Sequence, residues 1–165
     1  MAEPTIRPIQ LSDAEAFRDA VGVVRAERRY LLSGPPSSIE KARAFVESNI
    51  NHGYPHFVIE VAGLLAGWCD ITPPSDNEAL RHVGQLGMAL LPEHRGKGLG
   101  EQLLSATLSA GDSFGYTRTQ LGVFATNDRA IHLYRKVGFV EEGTHRKYLK
   151  IDEKYVDEIL MARLT

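Results

Sequence analysis

Along the chain's pattern of apolar and polar positions, Thr5-Ile6-Arg7-Pro8-Ile9 reads as a short strand. Ser12 and Glu15 then have the spacing of a capping box, and a helix is expected from there toward Tyr30. Ser33-Gly34-Pro35-Pro36 breaks that pattern. Ser37 with Glu40 repeats the capping signature ahead of a second helix, which carries Ile39, Ala42, Phe45, Val46 and Ile50 and stops at Gly53. Residues 56–61 and 64–71 are apolar or alternating runs joined through Ala62-Gly63, the pattern of an antiparallel hairpin. After the loop Pro73-Pro74-Ser75-Asp76-Asn77, residues 83–91 form the next strand. Gly84 and Gly87 interrupt it, and glycine inside a strand points to a bulge or to close approach by a ligand.

Downstream, Leu99, Leu103, Leu104 and Leu108 recur at helical spacing, so a helix should run from Gly98 to about Phe114 and end at Gly115. Residues 119–125 read as a strand. Asn127-Asp128 can cap a short helix with Ala130, Ile131, Leu133, Tyr134 and Val137 on one face, closed by Gly138. Residues 139–140, 147–151 and 158–163 read as closing strands. Helices and strands are mixed and hairpins dominate, which predicts an α+β fold around a mostly antiparallel sheet.

The connection that leaves the strand at residues 83–91 is Arg95-Gly96-Lys97-Gly98-Leu99-Gly100. Three alternating glycines let backbone amides converge on an anion at a helix N-terminus, and Arg95 and Lys97 add positive charge. No Gly-Lys-Ser/Thr ending follows, and the spacing is Arg-x-x-Gly-x-Gly rather than Gly-x-Gly-x-x-Gly, so neither a nucleotide P-loop nor a dinucleotide fingerprint is present. A tight strand-to-helix connection would use the same glycines.

Composition narrows the possibilities. A chain of 165 residues suits one domain spanning residues 1–165. The net charge of −2 supplies no basic field for nucleic acid, so any phosphate binding is local. A single cysteine, Cys69, sits in an apolar run and is expected to be a buried thiol in a reducing, cytoplasmic protein. The six histidines lack metal-ligand spacing, and no metal is expected. Residues 1–8 show no signal pattern and no apolar run is long enough to span a bilayer, so no membrane association is expected.

Two blocks make the chain recognisable: Leu91-Pro92-Glu93-His94-Arg95-Gly96-Lys97-Gly98-Leu99-Gly100, and Asn127-Asp128-Arg129-Ala130-Ile131-His132-Leu133-Tyr134-Arg135-Lys136-Val137-Gly138-Phe139. Together they resemble the GNAT superfamily of N-acetyltransferases. The resemblance implies a mixed, mostly antiparallel central sheet of six or seven strands flanked by about four helices, with two strands splayed into a V-shaped cleft. It implies acetyl-CoA as cosubstrate, its pyrophosphate on Arg95, Gly96, Lys97, Gly98, Leu99 and Gly100 and its pantetheine arm along Met88, Ala89 and Leu90, with Gly87 at a bulge. Asn127 matches the asparagine that reaches the cofactor arm, and Tyr134 the tyrosine that protonates the departing thiolate. Asn127 can instead be a plain helix cap, and Tyr134 a core aromatic.

Acetyl transfer to an amine also requires a proton acceptor. Some members of the superfamily carry a glutamate on the strand before the asparagine, but residues 119–125 contain no acid. Glu27, in Arg25-Ala26-Glu27-Arg28-Arg29-Tyr30, is the leading candidate base because the superfamily builds its acceptor pocket partly there. Glu60 is a second candidate, and a water chain would need neither. The closing segments, Gly143-Thr144-His145-Arg146-Lys147-Tyr148 and Tyr155-Val156-Asp157-Glu158-Ile159-Leu160-Met161-Ala162-Arg163, resemble the branch that acetylates amino acids and their analogues and that often forms homodimers. Tyr148, Tyr155 and Asp157 are candidate pocket residues. The expected acceptor is the primary amine of a small molecule. The alternatives are a protein N-terminus or lysine, and an acyl-CoA sensor without turnover.

Overall fold

The computed structural model describes residues 3–32 and 37–165. Seven strands form one sheet in the order β1-β2-β3-β4-β5-β7-β6: β1 (Thr5–Pro8), β2 (His56–Val61), β3 (Leu64–Thr72), β4 (Val83–Leu90), β5 (Arg118–Phe124), β6 (Val140–Ile151) and β7 (Lys154–Leu164). Every neighbouring pair is antiparallel except β4 with β5. Among the described residues four helices accompany it: α1 (Ala14–Ala26), α2 (Ile39–His52), α3 (Leu99–Phe114) and α4 (Asp128–Lys136). The α+β class and the mostly antiparallel sheet are as the sequence implied.

Side-chain alternation divides the core between the two faces of the sheet. On one face, Cys69 and Ile71 of β3 and Leu86 of β4 pack with Leu103, Leu104 and Leu108 of α3 and Tyr134 of α4. On the other, Trp68 packs with Phe17 and Val24 of α1 and Val46 of α2, and Ala89 and Leu91 lie against this cluster. Successive residues of β3 and β4 therefore serve opposite sides. The thiol of Cys69 is fully buried, as expected, and burial raises its pKa.

Several boundaries differ from the pattern. The chain enters α1 through a single turn at Leu11–Asp13, where Gln10 and Asp13 rather than Ser12 and Glu15 form the capping box. Helix α1 stops at Ala26, short of Tyr30, and Arg28 takes a left-handed φ of 56°. Residues 33–36, read as the break, lie outside the described residues. Ser38, not Ser37, caps α2 by accepting from the Lys41 amide at 3.2 Å, while Gly53 ends the helix at φ 69°. The turn between β2 and β3 has positive φ at both Ala62 and Gly63, as a type I′ hairpin requires. Residues 140 and 147–151, read as two strands, belong to one strand, β6, which begins at Val140 and is broken by shifts of register rather than by loops.

No shift of register accompanies Gly84 or Gly87: β3 and β4 pair without interruption from Gly67↔Leu90 to Thr72↔Gln85. The bulge lies between Ile59 and Glu60 of β2. Gly84 is small for a packing reason, since a Cβ there would stand 2.3 Å from the Ile71 side chain. Gly87 leaves room for the Asp70 carboxylate, whose two oxygens lie 3.7 Å from the position a Cβ would take.

Candidate active site

β4 and β5 run parallel and pair only over Val83–Gln85 with Arg118–Gln120, although the strands continue to Leu90 and Phe124. Beyond that point β5 pairs solely with β7, so residues 86–90 present one backbone edge to an open V. The side chains of Gln120 and Gln85 hydrogen-bond at 3.1 Å and stitch the apex. An unpaired strand edge inside a fold is a row of donors and acceptors available to an extended ligand. Met88, Ala89 and Leu90 lie on that edge.

The open end of the V meets the glycine turn. Gly96 and Gly98 have φ of 73° and 78°, a region glycine enters without strain, and Gly98 is the N-cap of α3 with no side chain to satisfy the helix's leading amides. A Cβ at Gly98 would meet nothing within 4 Å, so the space above the turn is open. At Gly100 a Cβ would instead touch Leu133, Leu90 and Met88, and this glycine brings α3 close to β4 and α4. Leu99 is buried and anchors the first turn of the helix. Converging amides, the positive end of a helix and open space suit a phosphate group.

The two cations expected on the phosphate are otherwise engaged. Arg95 donates to both Glu27 carboxylate oxygens, from Nη1 at 2.7 Å and Nη2 at 2.6 Å, and from Nε to the Leu90 carbonyl at 2.9 Å. Its guanidinium also lies 4.8 Å from the centre of the Tyr30 ring. Lys97 Nζ donates to the Glu93 carbonyl at 2.7 Å. The cation that leans over the turn is Arg129 of α4, with Nη1 3.7 Å from where a Gly96 Cβ would stand. It lies within the second recognised block, yet its sequence position on a helix end gave no sign of this contact.

The Glu27–Arg95 pair alters the reading of Glu27. Arg95 holds the Glu27 carboxyl below its ordinary range, through the hydrogen bonds first and charge second, against a partial cost of burial. A carboxylate so stabilised is a weak proton acceptor. Glu60 is likewise occupied, receiving Arg7 Nη2 at 2.5 Å, while Arg7 also bonds Asp13 at 2.7 Å. Among the described residues, both candidate bases are therefore spent in ion pairs.

Asn127 caps α4, its Oδ1 accepting from the Ala130 amide at 3.2 Å, which leaves its Nδ2 as a donor. Tyr134 lies two turns further on, 7% exposed, with Phe139 at 5.6 Å between ring centres. Burial, with the Cys69 thiol as the neighbouring ionisable group, raises the Tyr134 pKa and keeps the phenol protonated. Tyr148 and Tyr155 are more than half exposed on the β6–β7 hairpin, whose tip touches the end of α1 through Arg28–Asp152 at 3.0 Å. Asp157 accepts from the Lys147 amide at 2.7 Å and fixes the irregular stretch of β6.

Asp70 was not among the expected residues. It is 9% exposed on β3, and desolvation pushes its carboxyl up to about 7. The pattern around it, an acid within an apolar strand, is the only signal the sequence carried.

A family model described as "Acetyltransferase (GNAT) family" matches residues 22–139, and the chain belongs to that family. The L-amino acid N-acyltransferase MnaT of Escherichia coli K12 is 30% identical over 97 residues, which cover 59% of this chain and 56% of that protein. The chain spans about half the length of the first curated relatives it matches. An acetyltransferase of the GNAT family from Streptococcus pneumoniae superposes with a TM-score of 0.92 at 28% identity, over 99% of this chain and 100% of that one. A phosphinothricin acetyltransferase from Sinorhizobium meliloti, solved in complex with AcCoA, superposes with a TM-score of 0.92 at 21% identity, over 98% of this chain and 88% of that one.

Proposed function

We propose that the protein is an acetyl-CoA-dependent N-acetyltransferase acting on the primary amine of a small molecule, an amino acid or an analogue of one. The observation that carries this reading is the splay of β4 from β5 opening onto the glycine turn at residues 96–100. In it, Gly96, Lys97, Gly98, Leu99 and Gly100 hold the cosubstrate's pyrophosphate through backbone amides, joined by Arg129. Met88, Ala89 and Leu90 pair with its arm, and Asn127 Nδ2 donates to it. When bound, acetyl-CoA supplies an activated acyl group as a thioester. Tyr134, kept protonated by burial, donates to the departing sulfur.

Arg95 and Glu27 act here as positioning residues: their bidentate pair ties the end of α1 to the Leu90 carbonyl and holds the acceptor side of the cleft against the cofactor side. The acceptor class is supported by the relatives named for L-amino acids and for phosphinothricin. It is also supported by Arg25 on the last turn of α1, whose Nε is buried with no hydrogen-bond partner among the described residues and suits an acceptor carboxylate. Val140 and Tyr148 on β6 and Tyr155 and Leu164 on β7 are large apolar or aromatic side chains exposed at one end of the sheet, which supports a homodimer through that arm.

Thiol release from acetyl-CoA, measured against free amino acids, amino-acid analogues, polyamines and N-terminal peptides with a no-acceptor control, tests the function. Release that depends on a free amino acid or analogue is expected. Release only with peptides would move the acceptor to protein N-termini, and acetyl-CoA binding without release across the panel would favour a sensor.

A further inference from the structure

Glu27 and Glu60, the candidate proton acceptors, are both held in ion pairs, and a further acid, Asp70, lies buried in the sheet. Cys69 and Ile71 point to the α3–α4 side, so Asp70 between them stands on the side of α1 and α2, with Trp68. On β4 the same face carries Gly87 and Ala89, while Leu86, Met88 and Leu90 serve the opposite one. Asp70 pairs across the sheet with Gly87, and both its carboxylate oxygens lie 3.7 Å from where a side chain at Gly87 would begin. Gly87 lies two residues beyond the last pairing of β4 with β5, at the start of the open edge. A side chain there would begin in contact with this carboxylate.

The groups around Asp70 leave it without a partner. Across β2 its register neighbour is His56, whose Nδ1 lies 3.0 Å from Asn49 Nδ2 and which burial keeps neutral near pH 7. From α1 the buried residues are Ala14, Phe17, Ala20 and Val24, none of them ionisable. From α2 they are Ala42, Val46 and Asn49. From α3 they are Leu99, Leu103, Leu104, Thr107, Leu108 and Gly111. Across the V, the Glu158 side chain lies directly against Gly122 of β5, on the opposite wall, where its carboxylate is paired with His145 Nδ1 at 3.0 Å. Among the described residues no cation and no hydrogen bond stabilises the Asp70 carboxylate. A buried acid lacking a partner and facing a glycine gap is expected to find its partner in a ligand.

We propose that Asp70 receives the acceptor's ammonium group through the gap at Gly87 and acts as the general base of the transfer. The proposal rests on the acetyltransferase reading above. The Asp70 carboxylate takes one proton from the ammonium; the freed amine nitrogen bonds to the acetyl carbon, and the carbon–sulfur bond breaks. The sulfur leaves with the electron pair and is protonated through Tyr134, which recovers the second proton lost by the nitrogen. Asp70 then returns its proton to water. A carboxyl titrating near neutrality is matched to this work, where an ordinary one would be too weak a base.

The test is Asp70→Asn, with the best acceptor from the thiol-release panel as probe. For the wild type, kcat/KM for the acceptor should fall on the acid side of about pH 7. In Asp70→Asn that limb should vanish, kcat/KM at pH 7 should drop by about 10²-fold or more, and acetyl-CoA affinity measured by calorimetry should stay within about twofold. Acceptor affinity measured without acetyl-CoA should weaken too, a readout independent of turnover. Gly87→Ala gives a second variant that keeps every titratable group: its Cβ would sit in ordinary contact with Asp70 and narrow the gap, so acceptor KM should rise while acetyl-CoA affinity holds. A wild-type acid limb retained in Asp70→Asn, with kcat/KM within about threefold, overturns the proposal. So does loss of that limb in Glu158→Gln alone. If the wild type binds acetyl-CoA yet releases no thiol with any acceptor, the acetyltransferase reading fails first, and the titration and acceptor-binding measurements separate the two failures.

Discussion

Two buried groups on one face of the sheet, Asp70 and His56, are register neighbours and should tilt stability in opposite directions with pH. Burial moves Asp70 from its ordinary 3.8 up to about 7, so the folded state holds a proton that the unfolded chain gives up, and stability falls as pH rises through this range. At about 1.36 kcal/mol per pH unit the full effect is roughly 4 kcal/mol, more than half of which should develop between about pH 5 and 7.5. Burial moves His56 from 6.5 down to about 4, with nearby Asp13 opposing. There the unfolded chain binds the extra proton, and stability is complete above pH 6.5 and is lost as pH falls toward 4. Over the same window this gains about 2 kcal/mol with rising pH. The two act in opposite directions, so the joint pH dependence in the wild type should be weaker than that of either group alone.

Removing either group should expose the other. Urea unfolding at a series of pH values, with the wild type subtracted, isolates each term. Asp70→Asn should gain stability relative to the wild type, progressively from pH 5 upward, ending more stable and far less active. His56→Gln should show the mirror slope, gaining on the wild type as pH falls. If the difference between Asp70→Asn and the wild type were independent of pH, Asp70 would be ionised normally in the folded protein, and its burial without a partner would be refuted.

Three substitutions probe the cleft itself. On the proposed role of its hydroxyl as proton donor to the leaving sulfur, Tyr134→Phe should cut turnover by roughly 10²-fold while acetyl-CoA affinity stays within about twofold; steady-state kinetics and calorimetry decide it. Gly98→Val forces a β-branched residue to φ 78° at the phosphate turn, and acetyl-CoA affinity should fall by about tenfold or more by calorimetry. Glu27→Gln strips the charge from a partly buried bidentate pair, which should cost about 1–2 kcal/mol and lower the melting temperature by a few degrees. A fall in kcat of about 10²-fold with an unchanged melting temperature would restore Glu27 as the base.

Much of this molecule is written in local pattern. The turn at residues 96–100, the Asn127 cap, the glycine stops and the Ala62-Gly63 hairpin each follow from two or three adjacent residues, and each stands where the pattern put it. What failed to show depends on pairs far apart in the chain. Arg95 reads as an unpaired cation until Glu27, 68 residues away, is seen to accept from both its terminal nitrogens. Glu27 reads as an unpaired carboxylate for the same reason. Gly87 reads as a bulge because its real neighbour, the Asp70 carboxylate, comes from the adjoining strand. Asp70 itself is hidden in Gly67-Trp68-Cys69-Asp70-Ile71, where only the sheet register reveals which face each residue serves.

The cleft assignment underlies all of these statements, and backbone amide resonances followed during titration with acetyl-CoA test it most directly. Shifts concentrated at Met88, Ala89 and Leu90, at residues 96–100 and at Asn127, with residues 56–61 of β2 unmoved, are the predicted result. Shifts that spare the glycine turn, or no saturable change at all, would contradict it.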